Sequence, residues 1–201
     1  STGMERTQTS TSSDFSATSD PMQEPGVENT PSQAPIAVNP APPASTQDIQ
    51  NTEMNLEQIQ AGDYTSLVGT WTLVNYTINA YDTKGPQWYE GIPENWVSTL
   101  EVSSDKIVYN DTAMVMEGNT LVDDAGNHPL EFYSRDGWLG VWLADASSVA
   151  TNWGIDFYPK GVTNGINTNN NVVIDNTKNL IVIWCSNMSF THVFAQTDTS
   201  P

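Results

Sequence analysis

The chain has one cysteine, two histidines and six Lys or Arg residues in 201 positions. Each scarcity excludes something. A single cysteine, Cys185, rules out an intramolecular disulfide. It lies in the apolar run Leu180-Ile181-Val182-Ile183-Trp184 and reads as a small buried hydrophobe rather than a nucleophile, because no base or positive charge adjoins it. So few bases against 24 acids leave a formal charge of -18. Nucleic acids are recognised through a basic footprint that displaces counterions, so DNA and RNA are excluded as partners. Direct attraction to an anionic membrane surface is excluded on the same ground. No apolar run approaches the ~18 residues of a membrane-spanning helix.

Aromatic residues are missing from one region only. The first 50 residues hold no Trp or Tyr and a single Phe, Phe15, amid Ser, Thr, Gln and Pro, whereas all seven Trp fall at or after Trp71. Apolar burial must offset roughly 1–2 kcal/mol of backbone entropy per ordered residue, so residues 1–52 are predicted to be a disordered tether. As a flexible coil, about 50 such residues span roughly 40 Å. Residues 53–196 form the predicted folded domain, with 197–201 as a short C-terminal tail. Within 62–196 there are 15 acids and 5 bases, a net charge of -10. Such acidity serves solubility or suits basic partners.

The domain opens with a short helix. Asn55 is placed to cap it with Gln58 three residues on, Leu56 and Ile59 form an apolar stripe, and Gly62 is a terminator. Asp63 is placed to cap one further turn, Tyr64 to Leu67. From Trp71 the period changes to two. Strands are predicted at 71–78, 97–102, 106–110, 113–116, 120–122, 129–133, 138–143, 154–158, 171–174, 180–184 and 189–195. Turn residues separate them, with longer loops at 81–96 and 161–171. This pattern predicts an all-β fold, a single antiparallel barrel or closed sandwich of about eight to ten strands.

Gly69-Thr70-Trp71 joins the helical lead-in to the first strand. A Gly-x-Trp in that position resembles the lipocalin signature, which implies that Trp71 closes one end of a barrel and Gly69 provides the tight bend. The last strand, Ser189 to Ala195, has no basic residue to pack over the Trp, so the likeness concerns barrel shape. A second resemblance covers roughly residues 53–196. It rests on Asn55-Leu56-Glu57-Gln58-Ile59, Gly62 to Leu67, Gly69-Thr70-Trp71, Gly154 to Val162 and Asp175 to Ile183. These segments are similar to an uncharacterised lipocalin-like domain of Gram-positive surface lipoproteins. That resemblance implies an extracellular, bacterial cell-surface location and a lipid anchor in the native precursor. The Ser1-Thr2-Gly3 start is consistent with a mature or trimmed form.

Few residues carry recognisable chemistry. His128 sits in the turn Gly126-Asn127-His128-Pro129 and is expected at the surface. His192 alternates with Phe190 and Phe194 on one strand face, either as a hydrogen-bonded core or rim histidine or as a polar group in an aromatic-lined cavity. Neither histidine has a second ligand at metal spacing, so no zinc site and no cofactor are expected. Asp123-Asp124-Ala125-Gly126-Asn127 lacks the alternating ligands and distal Glu of a calcium loop and reads as a solvated turn. Asp156 is read as facing water. The aromatics are the remaining signal, since flat rings stack on sugars and apolar ligands. Most of the aromatics are expected in the core; Trp88, Tyr89, Trp142, Phe190 and His192 are the candidate ligand-binding residues, with Trp88 and Tyr89 the first choice for an exposed pair.

The expected function is a monomeric, non-catalytic surface-lipoprotein domain that binds a small apolar or carbohydrate ligand in the barrel mouth. The alternative is an adhesin or protein-interaction module, facing a host surface protein, with a filled barrel. A third option is a surface glycan hydrolase using Asp156 or Glu131.

Overall fold

The computed structural model describes residues 53–162, 166–187 and 189–197. The predicted tether, residues 1–52, and residues 198–201 of the C-terminal tail lie outside this range.

Helix α1 (Leu56–Gln60) begins as predicted, with the Gln58 amide donating to Asn55 Oδ1 at 3.0 Å. Asp63 Oδ1 accepts from the Thr65 amide and hydroxyl and starts a 3-10 turn at Thr65–Leu67. Eleven strands follow: β1 (Gly69–Asn79), β2 (Pro86–Glu90), β3 (Thr99–Val102), β4 (Lys106–Tyr109), β5 (Met114–Glu117), β6 (Thr120–Asp123), β7 (Gly126–Ser134), β8 (Leu139–Leu143), β9 (Trp153–Tyr158), β10 (Leu180–Cys185) and β11 (Phe190–Gln196). Consecutive strands from β3 to β11 pair antiparallel. Strand β1 pairs with β3 on one side and β11 on the other, which closes a ten-strand antiparallel barrel.

Strand β2 is additional. Strand β3 pairs with residues 69–72 of β1, and β2 continues on that side by pairing with residues 75–79. The sequence predicts a loop here, over 81–96, since Pro86 and Pro93 make the segment Pro-rich. Here Pro86 is the first residue of its strand, a position that needs no ladder donor. Conversely, the predicted strand 171–174 is irregular. Barrel closure leaves β9 and β10 paired along their lengths, with no free edge for it to join. Its Val172 and Ile174 instead pack on the outer wall, with Trp88, Trp138, Tyr158, Leu180 and Val182.

The interior is filled by side chains. Strict alternation turns Ile155 and Phe157, Ile181 and Ile183, and Val141 and Leu143 inward, each no more than 1 % exposed. At one end Ile59, Tyr64 and Leu67 of the lead-in plug the barrel. Trp71 is fully buried beneath them, and its Nε1–H donates to Leu67 O at 2.9 Å. Gly69 adopts φ +137°, open to glycine and strained for other residues, and turns the chain from plug to wall. Where a basic residue was absent from the last strand, Gln196 opposes Trp71 and donates to Val68 O at 3.1 Å.

On the outer wall, aromatic rings lie across glycines. Tyr133 covers Gly140, and the Arg135 guanidinium sits 4.5 Å from the Tyr133 ring centre. A Cβ on Gly140 would stand 2.3 Å from the Tyr133 ring, so Gly140→Ala must displace it. We expect a loss of about 2 kcal/mol, read as a lower chemical-denaturation midpoint. Adding Tyr133→Ala removes the clash, so the two changes together should cost less than their sum.

Candidate rim site opposite the plug

The inward faces of β1, β4, β6, β7, β9 and β11 converge at the end away from α1. Period-2 parity there brings inward Tyr109, Asp123, His128, Trp153, Phe190 and His192, and a β-bulge between Leu73 and Asn75 shifts the parity of β1 so that Tyr76, opposite His192, joins them. Phe190 and His192 stack at 4.1 Å. Trp96 packs edge-on against both Tyr76 (4.8 Å) and His192 (5.6 Å), and Tyr76 stacks on Tyr89. Trp153 meets the edge of Phe190 at 6.3 Å.

Two polar arrangements are set into this aromatic layer. The first is a hydrogen bond shared by Tyr109 Oη and His192 Nδ1. Burial pushes the His192 imidazole down to about 4, against the opposing pull of Asp111. Burial also pushes the Tyr109 phenol up. Both groups are therefore neutral near pH 7.

The second arrangement centres on His128. Its Nε2 lies 2.9 Å from Asp123 Oδ1 and its Nδ1 3.1 Å from Asp145 Oδ2. Asp123 also accepts from Trp153 Nε1 at 3.0 Å and from the Ala125 amide at 2.9 Å. Burial disfavours charge on His128, but the hydrogen bonds and charges of Asp123 and Asp145 outweigh it, and its pKa rises. Burial likewise works against the Asp123 carboxylate, yet the bonds from His128, Trp153 and Ala125 hold its pKa below the ordinary value.

Two loops cap this end. The 91–98 loop contributes Ile92 and Trp96 to the interior cluster, and the 144–152 loop contributes Ala146 and Val149. Each carries a side-chain bond to the rim: Trp96 Nε1 donates to Asp111 Oδ2 at 3.2 Å, and Asp145 pairs with His128. Beyond the rim the β1–β2 hairpin projects outward. Four large apolar residues are exposed on the hairpin and the loop that follows it: Ile78 (50 %), Tyr81 (74 %), Tyr89 (41 %) and Val97 (77 %).

The structure brings together Phe190, His192 and, at the rim, Tyr89. It does not bring the other candidates there. Trp88 alternates with Tyr89, so it faces the outer-wall cluster and is only 9 % exposed, which corrects the expected exposed pair. Trp142 also lies on the outer wall, stacked on Trp184 at 5.3 Å across Gly154. His128 is 4 % exposed, contrary to the expected surface turn, because it falls on the inward parity of β7 with Leu130 and Phe132. Asp156 and Glu131 fall on the outward parity of β9 and β7 and are half-buried. Burial raises the Glu131 pKa.

Sequence reasoning missed Tyr76, Trp96, Tyr109 and the Asp123–His128–Asp145 group. Alternation of Leu121 with Asp123, and of His128 with Leu130, was the available signal for two of them. Among the described residues, no three His, Cys, Asp or Glu side chains are grouped to hold a metal ion.

These features define a ten-strand antiparallel β-barrel protein with a plugged end and an aromatic rim. No family model, curated protein or solved structure matches the chain.

Proposed function

We propose that this chain is a non-catalytic binding module that recognises a protein partner through its rim rather than through an internal cavity. The observation that carries this reading is the set of exposed apolar residues on the β1–β2 hairpin beside the rim, Ile78, Tyr81 and Tyr89, with Val97 exposed on the loop that follows. Exposed apolar groups gathered on one projection mark interaction surfaces, whereas scattered ones need no explanation. The filled interior supports the same reading, because small ligands are generally held in preformed hollows of several hundred Å³. Both inward histidines are tied into rim packing, which fits binding rather than turnover. A Ser/Thr/Pro/Gln-rich leader of 52 residues would hold such a module away from its attachment point, and the resemblance to Gram-positive surface lipoproteins suggests a lipid-anchored, cell-surface setting.

Photo-crosslinking tests this reading. A photoactivatable residue replacing Tyr81 in the full chain should give a discrete protein adduct on intact cells. The adduct should disappear when Ile78→Ser and Tyr89→Ser are combined. Equal labelling from position 173 on the outer wall would count against the hairpin surface.

A second reading follows from Trp96. It is partly buried and held at its indole nitrogen by exposed Asp111 alone among the described residues, so a flat apolar or sugar ligand would take its place over Tyr76 and His192. Native mass spectrometry of protein from its source separates the two. A bound small molecule favours the second, and the bare chain mass favours the first.

A further inference from the structure

We propose that the Asp145–His128 ion pair is a proton-operated latch that holds the 144–152 loop over the open end of the barrel. The two carboxylates around His128 differ in how they are anchored. Asp123 is fixed by Trp153 Nε1 and the Ala125 amide as well as by His128. Asp145 Oδ2 is held by His128 alone, and its Oδ1 accepts no hydrogen bond among the described residues. The other end of the loop is pinned independently, since the Asn152 amide donates to Ser186 Oγ at 2.9 Å and the Ser186 amide to Asn152 O at 2.9 Å. The Asp145 end is also tied by the Ala144 amide, which donates to Pro129 O at 2.8 Å, and by Asn152 Nδ2, which donates to Ala146 O at 3.2 Å, so the imidazole is the proton-dependent tie at this end.

An imidazolium donates from both nitrogens and satisfies both carboxylates. A neutral imidazole has one N–H and one lone pair. Asp123 keeps the N–H at Nε2, because it sits in the fixed, more buried position. The Nδ1 lone pair then faces the Asp145 carboxylate, and attraction becomes repulsion. The charged groups facing His128 from the neighbouring elements are Asp123 at the end of β6 and Asp145 of the loop. Loss of one proton thus loosens the end of the loop that carries Ala146 and Val149, leaving it to the Ala144–Pro129 and Asn152–Ala146 hydrogen bonds. The latch is closed below the raised His128 pKa and opens as pH climbs through it.

Solution NMR of the full chain tests the latch. The His128 ring signals should titrate above the ordinary value of 6.5. The amide signals of Ser148 should move with the same midpoint, with a roughly fivefold rise in the open loop population, the fold-change that a partly exposed ion pair is worth. Asp145→Asn preserves shape but removes the charge. It should lower the His128 midpoint and flatten the Ser148 response, because the Asn amide pairs with Nδ1 as acceptor or donor in either protonation state. Unchanged signals from the plug residues Tyr64 and Trp71 show that the variant is folded. Were that variant to misfold, His128→Gln supplies the same readout, with Ser148 insensitive to pH. The proposal is overturned if His128 titrates without moving Ser148, or if Asp145→Asn leaves the wild-type pH course in place.

Discussion

Trp71→Ala is expected to lower the stability of the domain by about 3–5 kcal/mol, the largest single-residue effect in the molecule. Three contributions combine at this position. A fully buried indole is removed from the base of the core. The Leu67 carbonyl loses its donor at 2.9 Å. The lead-in then loses the surface on which Leu67 and Tyr64 are seated, so the cavity opens toward solvent. At about 2–4 °C per kcal/mol for a domain of this size, the melting temperature should fall by on the order of 10 °C. Trp71→Phe separates the contributions. It keeps most of the apolar volume and leaves the carbonyl unpaired, so it should cost about 1–3 kcal/mol. Calorimetry of the three proteins checks this. Equal melting temperatures for Trp71→Ala and wild type would remove the plug from the account of stability.

Acid should destabilise the barrel through His192. In the unfolded chain this group titrates at about 6.5, and burial lowers it to about 4 in the fold. Between those values the unfolded state binds the proton and the native state does not. Stability is therefore complete above 6.5 and declines as pH falls toward 4. The loss is on the order of 3 kcal/mol, spread over that window. His192→Phe fits the aromatic stack and should flatten this part of the profile, while lowering stability near pH 7 because Tyr109 loses its hydrogen-bond partner. Urea midpoints at half-unit pH steps read both effects. An unaltered slope in His192→Phe would assign acid sensitivity elsewhere. Asp123 acts below this window, since its lowered pKa contributes stability that is lost only as pH falls below the ordinary carboxylate range. His128 acts in the opposite direction. Its raised pKa contributes stability that is full below 6.5 and is lost as pH rises through the folded value. The two histidines thus confine maximum stability to a band around neutrality.

Much of the architecture was legible because it rests on local rules. The Asn55 cap, the Asp63-initiated turn and the glycine at position 69 each act within a few residues of themselves. Period-2 alternation in Ile155/Phe157 and Phe190/His192/Phe194 reports which face is buried, and most strands carry it. The errors arose where a residue's environment is made by distant chain. Residues 171–174 have strand composition, but a closed barrel offers them no edge. Trp88 and Tyr89 are adjacent, and whether either is exposed depends on the outer-wall packing of residues 166–174, which sequence alone does not reveal. His128 looked like a turn residue because its partner Asp145 lies 17 positions away on another loop.

What the sequence determined by itself is an acidic, strand-rich domain whose first strand carries Trp71 behind a capped helical lead-in. Those properties follow from composition, periodicity and capping, all of which are short-range. What only the tertiary structure decided is the make-up of the rim end: a filled interior, a projecting apolar hairpin and one imidazole between two carboxylates. Barrel closure brings together residues from β1, β6, β7, β9 and β11 that no local pattern connects; burial there lowers the His192 pKa, and the Asp123 and Asp145 carboxylates raise that of His128.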